Sequence, residues 1–270
     1  MRASAAVALG QVEEEEAVPH LLRALEAEDA WVRYYAARAL GRREAVEGTD
    51  ALARAARGDR LNHVRIAALD ALGRIGGGRA AAAAASLTDA DDPDLRRAAV
   101  ASLGNNAHAD ALAPLLKALR SPDANLRAGA AEALGARGGA EPLEHLRRVA
   151  AADAEPLVFG AAINALLKLS TAESVAVLVA LTADATRREA AAGALAEAPD
   201  ARVEDVAHGL SHHSAAVRLA VVEALARMKR PRATELLRAA LEDADASVRL
   251  AASDALGKSY RPSRTESRKG

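Results

Sequence analysis

The chain has 270 residues, no cysteine, 36 basic against 37 acidic residues, and only one Trp, three Tyr and one Phe. The missing cysteines exclude disulfides, thiolate metal sites and cysteine nucleophiles and fit a reducing, cytoplasmic setting, and the balanced charge gives the whole chain no pull toward nucleic acid or anionic lipid. Scarce aromatics leave few stacking platforms for bases and make an enclosed aromatic-lined ligand pocket hard to assemble.

The first residues carry one Arg, a few small apolar residues and then Glu13, Glu14, Glu15 and Glu16, which is not the layout of a signal peptide. From Met1 onward a ten-residue unit returns about every 31 positions. Its copies are MRASAAVALG from Met1, VRYYAARALG from Val32, VRIAALDALG from Val64 and LRRAAVASLG from Leu95. LRAGAAEALG from Leu126, VRLAVVEALA from Val217 and VRLAASDALG from Val248 continue it, with two degraded copies between. The Arg column falls at Arg2, Arg33, Arg65, Arg96, Arg127, Arg188, Arg218 and Arg249, with Phe159 in the slot between Arg127 and Arg188. A period of this size marks a solenoid whose units bury their apolar faces only against one another.

Within a copy, the residue before the Arg, the Ala four later and the Leu four after that share one helical stripe, as Val32, Ala36 and Leu40 do. This predicts a helix A in each repeat, thin because alanine lets backbones approach. Asp29, Asp92, Asp123, Asp184, Ser214 and Asp245 precede these helices as predicted N-caps. Gly10, Gly41, Gly73, Gly104, Gly135 and Gly257 follow them as predicted left-handed C-caps. A second helix, B, is predicted after each turn, for example from Val18, Ala111, Ala140 and Ala233.

These residues resemble the HEAT-repeat family in its short phycobilin-lyase-like subtype, where the recurring Asp, the Val-Arg pair and the Ala-Leu-Gly ending hold the same places. The resemblance covers residues 1 to about 258 and implies an all-α fold. It implies a right-handed α-α superhelix of about eight to nine helix pairs, with A helices convex and B helices concave. The domain reading is one solenoid over residues 1–258 followed by a basic polar tail, 259–270. Scaffolds, adaptors, lyase subunits and a few metal enzymes share this architecture, so the resemblance names a fold rather than an activity.

Several departures stand out. The first helix starts at the Val-Arg position itself and reads as clipped, and the last helix A is followed by KSYRPSRTESRKG with no helix B. The sixth repeat has Phe159 for Arg, Leu167 for Gly, and a second helix carrying Val175, Val177, Leu178, Val179 and Leu181. That helix is apolar nearly all round, which predicts burial on more than one side or an apolar patch for a partner, with Val177 and Leu181 as candidates. It contains the longest strongly apolar run, SVAVLVALTA, about half of the roughly 20 residues a membrane span needs. No membrane partner is expected.

Aligned on the preceding Gly, the B helices place Arg23, Arg54, Lys117 and Arg148 in one column, with Arg238 at nearly the same level. On the concave side these would form a ladder for an acidic peptide or phosphate backbone; alternatively they are solvated residues whose stems cover the core. Trp31, Tyr34 and Tyr35 cluster at the start of the second helix A, either filling space beside the clipped first repeat or forming an interface hot spot. Glu204, His208 and His212, spaced by four on one face of the predicted seventh helix B with His213 alongside, have ligand-like spacing for zinc or iron. The resemblance also admits metal chemistry, since the family includes a di-iron hydroxylase whose helices carry His-Glu pairs; here no His is followed by Glu.

The function these residues favour is a non-catalytic scaffold that binds a protein partner, without a cofactor. A bilin-lyase-like or metal-dependent enzyme subunit is the alternative, and a nucleic-acid-binding solenoid a second one.

Overall fold

The computed structural model describes residues 17–259, among which there are helices and turns but no strand. In chain order, α1 is Ala17–Ala24, α2 Ala30–Arg42, α3 Thr49–Gly58 and α4 Asn62–Ile75. Then come α5 Gly77–Ala85, α6 Pro93–Asn105, α7 Leu112–Ala118 and α8 Ala124–Arg137. The second half has α9 Leu143–Ala152, α10 Pro156–Leu169, α11 Ala172–Leu181 and α12 Arg188–Ala196. It closes with α13 Val203–Ala207, α14 Ala215–Met228, α15 Pro231–Ala239 and α16 Ala246–Ser259. Even-numbered helices are the A layer, each stacked on the next, and odd-numbered helices are the B layer packed beneath them. The chain is an α-solenoid, and the clipped helix at Met1, Gly10 and most of the tail lie outside the described residues.

The core follows the predicted stripe. Ala36 and Leu40 of α2, Ala68 and Leu72 of α4, and Ala130 and Leu134 of α8 are fully buried. Between the layers, Leu21, Leu52, Leu115 and Leu146 of the B helices close the same core. Burial of leucines at about 25 cal/mol per Å² drives the stacking.

The glycines do something other than cap. Helices α2, α4, α6 and α8 run one or two residues past Gly41, Gly73, Gly104 and Gly135, so the predicted C-cap role is overturned. A Cβ on Gly41 would lie 2.7 Å from Ala71 Cα, one on Gly104 2.7 Å from Ala133 Cβ, and one on Gly135 2.6 Å from Ala165 Cα. The missing side chain is what lets successive A helices touch. Positive φ is found three positions after Gly41, Gly73 and Gly135, at Glu44, Gly76 and Gly138, and three after the equivalent Leu167 and Ala226, at Ser170 and Lys229; Gly77 and Gly139 share it.

Of the predicted N-caps, Asp29, Asp92 and Asp123 accept backbone N–H bonds from the first turns of α2, α6 and α8, and Asp245 accepts one from Ser247. Ser214 makes no side-chain cap. Asp184 accepts from Thr186 N at 2.8 Å, but α12 begins only at Arg188, so it closes the turn ahead of the helix.

Helix α11 resolves the sixth-repeat alternatives. Val175, Leu178, Val179 and Leu181 are buried and Val177 packs against the core, while the exposed face carries Glu173, Ala176 and Ala180. The expectation of an apolar partner patch at Val177 and Leu181 is therefore overturned: the branched side chains are consumed by packing.

The glycine contacts predict opposite signs for one chemical change. Gly135→Ala forces its Cβ into Ala165 and is expected to cost about 1–3 kcal/mol, an overpacking penalty. Gly160→Ala, inside α10 with nothing within 4 Å of the new methyl, is expected to gain about 0.5–1 kcal/mol. Urea unfolding of both variants checks the pair; equal signs would contradict the close-approach role.

Candidate functional site

The Arg column turns out to be a structural staple. Arg33 Nη1 donates to the carbonyls of Ala27 and Glu28, each at 2.8 Å, closing its own B-to-A turn. Its Nε and Nη2 then reach forward to Asp59 of the next repeat at 2.6 and 2.9 Å. Arg127 repeats the pattern with Ser121 O, Pro122 O and Asp153, and Arg218 with His212 O, His213 O and Asp243. Arg96 makes the forward bridge to Asp123 with one nitrogen at 3.2 Å. A planar fork with five donors suits this double duty, satisfying carbonyls at a helix end and a carboxylate one repeat away. Arg127 holds the Asp153 carboxyl below the usual carboxylate range, and Arg218 does the same to Asp243.

Where Phe159 replaces the Arg, a neighbour supplies the missing donors. Arg187 donates to Ala150 O at 2.7 Å and Asp153 O at 2.9 Å, and its guanidinium lies 5.0 Å from the centre of the Phe159 ring. A second set of arginines ties A-to-B turns together: Arg137 to the carbonyls of Asn106, Ala107 and His108, Arg202 to Ser170 O and Arg230 to Ala198 O. Buried Asn106 adds paired bonds to the Gly77 backbone. None of these partners is local in sequence, and each is separated from its Arg or Asn by about one repeat.

The basic column of the B helices is exposed at Arg23, Arg54, Lys117, Arg148 and Arg238. It is also partly spoken for. Arg23 donates to His20 Nδ1, Lys117 pairs with Asp89, and Arg148 pairs with Glu144 at 3.5 Å. Glu144, held chiefly by Arg147, has its carboxyl lowered to about 2. Further pairs, Arg79 with Asp50 and Arg232 with Glu204, cross between successive B helices. Arg54 and Arg238 form no ion pair among the described residues and keep their charge available.

The aromatic cluster is the better-built surface. Trp31, in the first turn of α2, is 55% exposed, and its indole stacks on the His63 ring of α4 at 5.1 Å and 29°. Tyr34 meets Trp31 edge-on at 5.6 Å and Tyr35 at 5.1 Å, and Arg38 lies 5.7 Å from the Tyr34 ring centre. Tyr34, Tyr35 and His63 are half-buried, so they brace the indole while its outer surface stays open. Leu61, 44% exposed, precedes α4 at the same end. His63 escaped sequence reasoning because it occupies the slot equivalent to Trp31 one repeat later, where Asp94 and Asn125 stand in the following copies.

The histidine spacing does not survive folding as a ligand stripe. Helix α13 ends at Ala207, a 3-10 turn covers His208–Ser211, and His212 is extended beyond it. Glu204 is engaged by Arg232, and His212 Nδ1 accepts from Ser214 N at 3.1 Å. Among the described residues no group of three His, Cys, Asp or Glu converges as metal ligands, so the candidate metal set Glu204, His208 and His212 is withdrawn. No described helix is long and apolar enough to cross a membrane.

Comparison with known proteins agrees with this architecture. A family model of HEAT repeats matches residues 1–73, 24–94, 81–166 and 203–266. The chain belongs to the HEAT-repeat family. Its structure is similar to the complex of CpcE and CpcF of phycocyanin lyase from Nostoc sp. PCC7120, at 22% identity over 90% of this chain and 94% of that one, with a TM-score of 0.50. It is also similar to a homology model of the full-length AP-3 complex, at 13% identity over 94% of this chain and 53% of that one, with a TM-score of 0.56. Both are likenesses of fold. No curated protein matches the chain.

The staple makes stability depend on pH in a defined direction. Because the Asp153 carboxyl is held below its ordinary value, its contribution is complete above that value and is lost as pH falls through the lowered folded pKa. Arg127→Met is expected to cost about 2 kcal/mol at pH 7. The gap from the parent chain should narrow in acid as Asp153 protonates, read by denaturant unfolding across pH; a constant gap would assign the loss to packing alone.

Proposed function

We propose that this chain is a non-catalytic, cytoplasmic scaffold that binds a protein partner, with the Trp31 platform as its main contact. The carrying observation is an indole more than half exposed yet packed against the rings of His63, Tyr34 and Tyr35. A large aromatic face braced by neighbours loses little side-chain entropy on binding, which is the physical profile of an interface hot spot. In a chain so poor in aromatics, a core-filling role would have turned that indole inward.

The free charges of Arg54 and Arg238 support a second, electrostatic contribution from the B layer, which steers an acidic partner more than it adds affinity. Lys117 and Arg148 contribute less to that reading because carboxylates already balance them. A repeat array suits such binding because it offers a long surface without a central core.

Trp31→Ala is expected to weaken partner affinity by roughly 30-fold or more, equivalent to a loss of about 2 kcal/mol. Its melting temperature should stay close to that of the parent chain. The partner is first isolated by photo-crosslinking from position 31 and then titrated against purified protein. Undiminished affinity in the variant would remove the platform from the account. Arg54→Glu with Arg238→Glu should slow association at low salt and leave it unaltered at high salt.

A further inference from the structure

We propose that the solenoid is hinged between α10 and α12, and that Arg187 is the latch that holds the hinge in the conformation seen. The inference does not depend on which partner is bound.

The A layer changes character at this point. In the first half, Gly41, Gly73 and Gly104 let α2, α4 and α6 touch the next helix so closely that a Cβ would come within 2.7–2.9 Å of Ala71, Ser102 or Ala133, and Gly135 does the same against Ala165. On α10 the corresponding slot holds Leu167, and later copies hold Ala196 and Ala226. A leucine there keeps neighbouring backbones apart, and α10 and α12 are the least closely packed neighbours in the A layer. Helix α12 is also short, 9 residues against 14 for α10 and α14.

The forward bridge to a side chain of the next repeat lapses at the same junction. Earlier junctions are bridged by Arg33 with Asp59, Asn62 with Asp92, Arg96 with Asp123 and Arg127 with Asp153, and the last by Arg218 with Asp243. Phe159 has no donor to offer toward α12. Arg188, on α12, bonds only the carbonyls of Thr182 and Ala183 within its own turn, so among the described residues the following junction, α12 to α14, lacks its forward bridge as well. The HEAT-repeat model likewise leaves residues 167–202 unmatched.

Two guanidiniums span the gap instead: Arg202 reaches back to Ser170 O at 2.9 Å on the A-to-B side, and Arg187 holds the B-to-A side. Arg187, only 11% exposed, donates backward to Ala150 O and Asp153 O while its guanidinium lies against the Phe159 ring. On its own side it bonds Thr186 Oγ1 at 2.7 Å and Asp184 at 3.3 Å. Lacking the forward bridge and the glycine contact, the junction is held by Arg187 on the B-to-A side and by Arg202 on the A-to-B side, so it opens on the B-to-A side when Arg187 lets go. Opening would swing α12–α16 relative to α1–α10.

Spin-label distance measurements on the full chain test this, and the absence of native cysteine makes double-cysteine labelling clean. Arg38, Glu132 and Glu223 occupy one exposed slot on α2, α8 and α14, so the pairs 38/132 and 132/223 each span three repeats and only the second crosses the hinge. The expected result is a broader distance distribution for 132/223 than for 38/132. Arg187→Ala should broaden the 132/223 distribution alone and raise amide exchange in residues 182–196 about tenfold or more, since it removes both bonds to the preceding turn. Adding Phe159→Arg, which restores a donor opposite Asp184, should narrow it again. If Arg187→Ala does not fold, Arg187→Lys keeps the charge, removes the fork and should broaden the same pair. Equal widths in the parent chain overturn the proposal. So does equal broadening of both pairs, an unchanged 132/223 width in the Arg187 variants, or no narrowing with Phe159→Arg.

Discussion

A guanidinium folded back onto the carbonyls of its own B-to-A turn and forward onto the next repeat's aspartate is the interaction on which this solenoid depends. A repeat protein has no central core to fix the position of one unit against another. Apolar stripes alone permit sliding, since alanine presents nearly the same methyl surface at every turn. The Arg–Asp bridge removes that freedom, because bidentate geometry is satisfied in one register only. Arg33, Arg127 and Arg218 show the full form, and Arg96 the single-nitrogen form. The carbonyls they satisfy would otherwise be unpaired groups at a tight, partly buried turn.

The second constraint is thinness. Alanine and glycine on the A helices bring backbones into contact, so the stack is stabilised by many small dispersion contacts rather than by large side chains. Thinness leaves little room inside for aromatic rings. Trp31, Tyr34, Tyr35 and His63 accordingly gather at the outer corner of α2 and α4, where they stack on one another. The surface most suited to a partner is thus a consequence of how tightly the rest is packed. The same logic explains Phe159: an aromatic in the Arg slot removes a staple, and Arg187 both replaces the donors and covers the ring.

Much of this was legible beforehand, and the misreadings have physical causes. The helix pairs, the leucine core and the Asp caps followed from period and local chemistry. Gly41 and Gly135 read as C-caps because glycine near a helix end is the local signature of that motif, whereas their actual requirement comes from Ala71 and Ala165 one repeat away. Val177 and Leu181 read as a possible patch because an all-apolar helix does not say which side is covered; the neighbours bury Leu181 and pack against Val177, and the face left open carries Glu173, Ala176 and Ala180. The row Arg23, Arg54, Lys117, Arg148 was visible, but its partial neutralisation by Asp89 and Glu144 was not. Trp31 and Tyr35 stood out by rarity. Their support by His63 did not, since that contact joins residues on different helices.

The sequence by itself determined the architecture: a 31-residue period, an alanine stripe and capped helix starts leave a solenoid as the only way for each unit to bury its apolar face. Only the tertiary structure decided what the recurring polar residues do and where the array is weak. The roles of Arg33, Arg187, Asn106 and Gly135 are set by groups about one repeat distant, and separations of that length carry no local signal. Helical periodicity reports which face of a helix is apolar. It does not report which donor meets which carbonyl across a stack, and that pairing is what distinguishes the rigid half of this molecule from its joint.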